Sequence, residues 1–198
     1  MDATIAPPAG DGRHRRSEQS RDRIVAAVLA LIEAGEITPS AEDVAARAQV
    51  GLRSVFRHFK DMETLYAEMT LQVARGYQSS LAPFESAEWR DQLFEAMGRR
   101  IAIYERLMPL KRAIDAHRHR SPTIQRSYDA AMAMLRTRLQ MVVPAVLSND
   151  VMVFETIDLL LSFDTWQRLR IEQKLPTATA RSIIEAQITG LVDQDPAH

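Results

Sequence analysis

Residues 40–61, SAEDVAARAQVGLRSVFRHFKD, constrain the fold of this chain more than any other stretch. On a helix with about 3.6 residues per turn, the segment 52–60 separates into two faces. The apolar arc consists of Leu52, Val55, Phe56 and Phe59. The opposite side carries Arg53, Arg57 and Lys60, with Ser54 and His58 beside them. A short helix with this pattern is expected to pack on a small core through its apolar arc.

A second short helix is predicted immediately before the basic one. Ser40 is a suitable N-cap, and Asp43 lies in the first turn, where free N–H groups and the helix dipole favour a carboxylate. Small apolar residues follow at helical spacing and permit close packing. Gly51 then interrupts the pattern and places a flexible residue in the turn. A helix, a glycine-containing turn and a second helix form the pattern of a helix-turn-helix motif.

The charge pattern of this motif favours a DNA-binding surface. No acid lies between Asp43 and Asp61, whereas four basic residues lie in that interval. Guanidinium groups on one helix face can reach guanine edges and phosphates in the major groove of DNA. The alternative is an ordinary pair of surface helices with a solvated basic face. The residues expected to face DNA are Ser40, Arg47, Gly51, Arg53, Ser54, Arg57, His58 and Lys60.

These candidates divide into two expected roles. Arg53, Ser54 and Arg57 share the groove-facing side of the helix and are assigned to base edges or their surroundings. Phosphate contacts are assigned to Ser40, Arg47 and Lys60, while His58 is assigned as a phosphate neighbour or a packing residue.

Residues 23–66, RIVAAVLALIEAGEITPSAEDVAARAQVGLRSVFRHFKDMETLY, resemble the DNA-binding domain of the tetracycline-repressor (TetR) family. Four features carry the resemblance. The first helix has the pattern RI…A…L and ends at Gly35. The segment EDVAARA follows, and SVFRHF precedes a helix start that contains an acidic residue and a leucine. The sequence departs from the family at Phe56, where an aromatic residue with a phosphate-binding hydroxyl is common, and at Met62, where a lysine usually opens the fourth helix. Each departure removes a donor to the DNA backbone, so neither of these two family contacts with DNA is expected in this protein.

The resemblance implies an all-α fold with an N-terminal three-helix helix-turn-helix head. A linking helix, which acts as a lever in the family, joins this head to a helical-bundle regulatory and dimerisation domain. The expected domains are residues 17–61 for DNA binding and residues 62–198 for effector binding and dimerisation. Residues 1–16 contain two prolines and two glycines with few large apolar groups, which predicts a disordered basic tail. Residues 13–16 either contact DNA or remain a solvated tail.

Composition agrees with a specific DNA binder and excludes several other classes. The formal charge of the 198 residues is −1, but residues 13–60 hold nine Lys or Arg against six acids. A local basic face on a slightly acidic body is the balance expected of such a protein. There is no cysteine, so disulfides and thiolate metal sites are excluded. No secretory h-region or membrane-spanning apolar run is found, and the chain is expected to be cytoplasmic.

Helix boundaries are predicted from caps and prolines. The first helix is expected to begin near Ser17 or Ser20 and to stop at Gly35, and Asp61 is expected to cap the fourth. An apolar stripe that begins at Trp89 is expected to end at Pro109. Ser121 and Pro122 provide an N-cap and a first-turn proline for the next helix. A helix over residues 151–174, capped within Ser148–Asp150, and a last helix from Pro176 complete the chain.

The last two long helices, with VFETIDLLLSFDTWQRL and ARSIIEAQITGLV, are apolar over more than half of their surface. Such helices need cover on two sides. Pairing them with the same helices of a second subunit would provide it, and the family resemblance implies the same homodimer. A dimer suits DNA half-sites that lie one helical turn apart. The alternative is a monomer that buries both helices internally.

Methionines and aromatic residues precede these helices and suit an apolar cavity, although ordinary core is the usual role of such residues. The candidates for an effector site are Met97, Ile101, Tyr104, Tyr128, Met132 and Trp166. His117 and His119, near Asp115, are not expected to bind a metal. No catalytic residues and no cofactor are predicted, because the Glu-x-x-His pairs, HExxH and GxSxG are absent.

The sequence therefore predicts a regulator of transcription that binds double-stranded operator DNA. The favoured hypothesis is a repressor that a small apolar or amphipathic molecule releases from its operator. The alternative is a DNA-binding helical dimer without an effector, whose second domain packs solidly.

Overall fold

The computed structural model describes residues 11–77 and 81–193, within which the chain forms helices and no β-strand. The helices are α1 (Asp11–Glu33), α2 (Ala41–Ala48), α3 (Leu52–His58), α4 (Met62–Gly76), α5 (Trp89–Arg118), α6 (Pro122–Val142), α7 (Ala145–Ser148), α8 (Val151–Leu160), α9 (Phe163–Gln167) and α10 (Thr177–Asp193). A π-helical turn, Arg168–Glu172, directly follows α9. The predicted all-α fold class is confirmed.

The chain divides into two compact units, and each unit combines two separate stretches of the sequence. The first runs from the amino-terminal end to Gln72 and also includes Pro109–Gln125. The second comprises Val73–Met108 and the chain from Arg126 onward. The two boundaries in α4 and α5 therefore fall inside helices, and the one in α5 falls at Pro109.

The core of the first unit forms where α1 packs on α2 and α3. The helical stripe predicted for α1 supplies one side of this core, and its residues Ile24, Val25, Val28 and Ile32 are all buried. Val44, Ala45 and Ala48 of α2 are buried in turn. Their small side chains allow α2 to lie close to α1, which fixes the orientation of the helix that follows.

Helix α1 ends as predicted but begins earlier than predicted. Gly35 has a φ of 104°, and its N–H and that of Glu36 donate to the carbonyls of Ile32 and Leu31 at 2.9 and 3.0 Å. This is the Schellman pattern, which favours glycine. The helix begins at Asp11, not near Ser17 or Ser20. Arginine, glutamate and glutamine favour a helix, and serine need not start one. Residues 1–10 of the predicted tail lie outside the described residues.

Three predicted helix starts are confirmed by their hydrogen bonds. The Asp61 carboxylate accepts from the backbone N of Thr64 at 2.8 Å and caps α4. The Ser121 hydroxyl accepts from the backbone N of Ile124 at 3.4 Å, with Pro122 as the first residue of α6. Asp150 caps α8 through the N–H groups of Met152 and Val153. Each cap satisfies backbone donors that the first turn of a helix leaves free.

The predicted end at Pro109 is wrong, because α5 continues through this residue to Arg118. A proline inside a helix removes one backbone hydrogen bond and costs about 3 kcal/mol or more. Leu107 and Leu110 on either side are buried, as are Ala113 and Ile114 further on. Burial of this continuous apolar stripe offsets the missing hydrogen bond.

The predicted helix over residues 151–174 is divided at Leu161 and Ser162, although no proline or glycine lies there. The Leu161 carbonyl accepts from the Tyr104 hydroxyl at 2.9 Å and from the Arg100 guanidinium at 3.3 Å. Ser162 then caps α9 by accepting from the backbone N of Thr165 at 3.1 Å. Side chains of α5 thus replace the helical partner of this carbonyl, which makes the break favourable.

In the second unit, α8 packs against α10, and Trp166 of α9 is fully buried. The Trp166 indole donates to the Glu105 carboxylate at 2.9 Å, and Arg170 donates to the same group at 2.8 Å. These hydrogen bonds, that of Arg170 first, hold the pKa of Glu105 below its ordinary value. Across the described ranges, no helix is long and apolar enough to span a bilayer.

Candidate nucleic-acid interface

The turn between α2 and α3 is held by backbone hydrogen bonds and a left-handed residue other than glycine. Gln49 takes a φ of 55°, and the N–H of the next residue, Val50, donates to the Ala45 carbonyl at 3.0 Å. Gly51 is the N-cap of α3 with a φ of −70°, which any residue can adopt. The turn therefore does not need the flexibility that we predicted for Gly51.

Helix α3 is buried along one edge of its apolar arc and not along all of it. Val55 and Phe59 are each 1% exposed, whereas Leu52 is 37% and Phe56 is 47% exposed. The prediction that all four residues face the core is wrong. With seven residues, α3 makes less than two turns, and its packing on α1 and α2 covers a narrower arc than the apolar stripe.

The predicted basic face is exposed to solvent. Arg53 and Arg57 of α3, Lys60 just after it and Arg47 of α2 are all exposed. Phe56 lies three residues after Arg53 on α3, so an exposed apolar ring adjoins an exposed cation. Of the remaining predicted residues, Ser40 and Gly51 are exposed and Ser54 and His58 are half-buried. All eight lie on α2 and α3 or within two residues of them, and their contact with DNA stays a prediction.

Ser40 has a structural partner that the sequence only partly indicated. Its backbone N donates to the Asp43 carboxylate at 3.0 Å, and its hydroxyl accepts from the Asp43 backbone N at 3.2 Å. The hydroxyl also donates to the same carboxylate, and this bond is the first cause of the lowered pKa of Asp43. A phosphate would have to compete with Asp43 for this donor, so Ser40 is better explained as the cap of α2.

Arg21 and Glu68 form an ion pair beside the residue that follows α3, and sequence reasoning did not identify them. The Arg21 guanidinium lies 2.7 Å from the Glu68 carboxylate and 5.2 Å from the centre of the Phe59 ring. The hydrogen bond to Glu68 raises the pKa of Arg21. A single side chain thus joins α1, α4 and the residue that ends α3. Partners 47 residues apart carry no local pattern by which the sequence would reveal them.

His58 is unsuited to a cationic phosphate contact. Burial, followed by the charges of Arg57 and Arg21, lowers its pKa, so the imidazole is neutral near pH 7. Among the described residues, its buried Nε2 has no hydrogen-bond partner. A neutral ring that is half-buried beside α3 supports the packing role named as one alternative for this residue.

Four of the six predicted effector residues lie together in the second unit. Met97, Ile101, Tyr104 and Trp166 line one cavity of about 10 Å³, between α5 and the α8–α10 segment. Tyr128 and Met132 of α6 are half-buried and are not among its lining residues. A volume of roughly 10–15 Å³ holds a single water molecule. The predicted effector role of all six residues stays a prediction.

Arg100 is the polar residue of this cavity that sequence reasoning missed. It is 5% exposed, donates to the Leu135 carbonyl at 2.6 Å and lies 3.7 Å from the Asp158 carboxylate. Asp158 in turn pairs with Arg136 at 2.9 Å. A buried guanidinium is stable only with such partners. Nothing in the local sequence distinguishes Arg100 from a solvated arginine.

No protein-family model matches the chain, and no curated protein matches it by sequence. Solved structures do match its fold. A transcriptional regulator from Rhodococcus sp. Rha1 has a TM-score of 0.66 at 18% identity, with 89% of this chain and 96% of that chain covered. A Syntrophomonas wolfei protein assigned to the TetR family of transcriptional regulators has a TM-score of 0.67 at 14% identity, covering 91% and 99%.

The multidrug binding protein EbrR, in complex with imidazole, is a third match. Its TM-score is 0.63 at 19% identity, with 94% of this chain and 97% of that chain covered. Matches of this coverage extend over both units of the chain. The chain has the fold of the TetR-family transcriptional regulators.

Proposed function

We propose that this protein is a transcriptional regulator that binds operator DNA as a homodimer through α3. One observation carries the proposal: the exposed Arg53 and Arg57 lie on α3, the exposed Lys60 follows just after it, and Val55 and Phe59 anchor this segment in the core. An anchored short helix can enter the major groove as a rigid reader. The structural neighbours that are named as regulators support this proposal.

The test is a selection of bound duplexes from a random pool, followed by affinity measurements at several salt concentrations. A palindromic or near-palindromic sequence is expected, because the two heads of a dimer read equivalent half-sites. The logarithm of affinity is expected to fall with the logarithm of salt concentration, by about 0.9 for each phosphate contact. An affinity for the selected duplex that hardly changes with salt would contradict the basic-face argument.

Phe56 provides a prediction about base readout. Its exposed ring adjoins the basic face, where an apolar group can contact the methyl group of thymine. Replacing contacted thymines by deoxyuridine removes that methyl and is expected to weaken wild-type binding by about fourfold per contact, at about 0.8 kcal/mol per buried carbon. The Phe56→Ala variant is expected to bind both duplexes equally. The measurement is a fluorescence-anisotropy titration with each duplex.

The Arg53→Ala variant is the matched control for this prediction. It removes a neighbouring base-reading candidate and is expected to weaken binding to both duplexes while retaining the preference for thymine. If Phe56→Ala still distinguishes thymine from deoxyuridine, the ring does not read the methyl group.

Exposed residues on α8 and α10 support the homodimer. Met152 is 76% and Leu159 is 64% exposed, and their spacing places them on one stripe of α8. On α10, Thr179, Ile183 and Ala186 are exposed at helical spacing. The short side chains of Thr179 and Ala186 permit close approach of another helix. Paired α8 and α10 helices from two subunits would cover both stripes, which is the four-helix interface expected from the sequence.

The proposal also covers regulation. We propose that the protein is a repressor and that a small apolar or amphipathic effector releases it from DNA. Met97, Ile101, Tyr104 and Trp166 already share one cavity, and the structural neighbour EbrR is named as a multidrug binding protein. Because the cavity measures about 10 Å³, an effector has to enlarge it. Such a ligand acts only if it binds the DNA-competent and incompetent states unequally.

The small cavity also favours the second candidate function, a DNA-binding dimer without an effector. A thermal-shift screen with apolar and amphipathic compounds separates the two. An effector is expected to raise the melting temperature and to weaken operator binding by about 5- to 150-fold. If no compound does either, the dimer without an effector is retained. Both functions agree with the cytoplasmic location expected from the sequence.

A further inference from the structure

The first unit contains an open cleft of about 210 Å³, compared with about 10 Å³ for the cavity of the second unit. It lies between the start of α4 and the corner at which α5 gives way to α6. None of the six predicted effector residues lines this cleft. Its volume is sufficient for a small organic molecule, which the cavity of the second unit does not admit.

One wall of the cleft is aromatic and apolar. The rings of Tyr66 and His117 stack with their centres 3.9 Å apart and their planes inclined by 23°. Met62 and Ile124 add apolar surface to the same cleft. Flat aromatic ligands gain from offset stacking and from contact with such side chains. The wall therefore favours a ligand with an aromatic ring.

Hydrogen-bond donors lie at the corner between α5 and α6. Arg120 lines the cleft with an exposed guanidinium, and the buried Ser121 beside it carries a hydroxyl. Because the Ser121 oxygen accepts from the Ile124 backbone N at 3.4 Å, its hydrogen is oriented away from that N–H and is able to serve another acceptor. The buried Nε2 of His117 has no hydrogen-bond partner within the described part of the chain, and the tautomer that carries its hydrogen on Nε2 adds a donor. This set of groups suits a carboxylate.

The charge of the cleft limits the ligand further. Glu63 lies at its rim and is the one acid among the lining residues. A single carboxylate can face Arg120, whereas a second negative charge would be repelled by Glu63. Burial and the charge of Arg120 lower the pKa of His117, so its ring adds no positive charge near pH 7. Arg120 is the one lining residue with a positive charge, and it favours a ligand with one carboxylate and no further negative charge.

We infer that this cleft binds a small aromatic monocarboxylate, and that its occupancy changes the affinity of α3 for DNA. The second half of this inference rests on the proposed function, and the first half does not. The site differs in unit, lining residues and ligand charge from the cavity that we propose for an apolar effector.

Tyr66 connects the cleft to the DNA-binding helices. Its hydroxyl donates to the Pro39 carbonyl at 3.1 Å, and Pro39 directly precedes Ser40, the N-cap of α2. Burial raises the pKa of Tyr66 to about 12, so the hydroxyl remains a donor at neutral pH. A ligand that stacks against the Tyr66–His117 pair shifts this ring. The shift reaches α2, and therefore α3, through one hydrogen bond.

Benzoate is the probe for ligand binding, and the neutral benzamide is its control. The full-length protein without DNA is titrated while the imidazole signals of the histidines are followed by NMR. Benzoate is expected to bind saturably with a Kd on the order of 1 mM, as suits so small a ligand, and to shift the His117 signals. Benzamide is expected to bind at least about tenfold more weakly, because it lacks the charge-assisted hydrogen bonds.

Two variants of matched charge test the position of the carboxylate. Arg120→Gln is expected to weaken benzoate binding by about tenfold or more, whereas Arg112→Gln, an exposed α5 residue outside the cleft, is expected to leave it unchanged. Glu63→Gln is expected to strengthen binding by up to about fivefold. Equal effects of Arg120→Gln and Arg112→Gln, or the absence of saturable benzoate binding, would overturn the inference.

The coupling to DNA is tested with Tyr66→Phe, which removes only the hydroxyl. Saturating benzoate is expected to change wild-type affinity for the selected duplex by about 5- to 150-fold. Tyr66→Phe keeps the ring that lines the cleft, and its own benzoate affinity is measured first. At saturating benzoate the variant is expected to lose most of the effect on operator affinity. If benzoate fills the cleft without changing operator affinity, the regulatory half is overturned. If no duplex is selected at all, the proposed function fails, while the titration without DNA still decides the ligand site.

Discussion

Replacing Met152 and Leu159 together by glutamate is expected to give a monomer that binds the selected two-half-site duplex about 10²–10⁴-fold more weakly than wild type. Both side chains lie on the exposed apolar stripe of α8. Buried in a paired-helix interface, two carboxylates without partners would be strongly unfavourable. Loss of the dimer makes the binding of each head independent, so the gain from linking two half-sites disappears. Analytical ultracentrifugation and anisotropy titrations measure the two effects.

Ala102→Glu is the control for added charge, since Ala102 is an exposed position of α5 in the same unit. It is expected to remain dimeric and to bind the duplex normally. The double variant should keep the helical circular dichroism of the wild type, because both replaced side chains face solvent in the single chain. If the double variant stays dimeric, α8 does not form the interface.

Arg57→Ala and Lys60→Ala are expected to weaken DNA binding in different ways. Arg57 is assigned to a base edge, so its loss should cost about 1–3 kcal/mol and reduce the preference at one or two positions of each half-site. Lys60 is assigned to a phosphate, so its loss should weaken all duplexes similarly and reduce the salt slope by about one. Binding measured on a panel of single-base variants at several salt concentrations distinguishes these effects.

Arg112→Ala removes an exposed arginine of α5 and is the control for a general loss of positive charge. It is expected to leave base preference unchanged. The opposite assignment, with Lys60 controlling base preference and Arg57 only the salt slope, would mean that α3 lies in the groove with a different rotation about its axis. Phe56 would then have a different neighbour as well, and the deoxyuridine experiment gives an independent measurement of that rotation.

The two proposed ligand sites differ in chemistry. The second-unit cavity is nearly filled by Met97, Trp166 and their neighbours, and has to open for an apolar ligand. The first-unit cleft is already open and holds charged residues. A compound's charge therefore predicts which site it uses: anions are expected to depend on Arg120, and neutral apolar compounds are not.

The sequence by itself determined the local features of this protein. The cap at Asp61, the start at Ser121 and Pro122, and the left-handed Gly35 depend on backbone groups within a few residues. Such interactions depend on residue type and spacing, which are visible in one sequence. For the same reason the helix-turn-helix pair, with its basic residues on one side, could be predicted.

Apolar patterns did not determine which side chains are buried or where long helices break. Phe56 and Val55 belong to one apolar arc, yet only Val55 is covered, because the neighbouring helices decide how wide the covered arc is. Pro109 lies inside a helix because packing on both sides offsets one lost hydrogen bond. The break at Leu161 depends on a hydroxyl donor from α5, 57 residues earlier in the chain.

Only the tertiary structure decided the contents of the two candidate ligand sites. Arg100 joins the carbonyls of Leu135 and Leu161, and Tyr66 of α4 meets His117 of α5. No periodicity or spacing indicates such pairs, since each residue taken alone resembles an ordinary surface or core residue. Their chemistry arises from proximity, which burial and hydrogen bonding create only after the helices have packed.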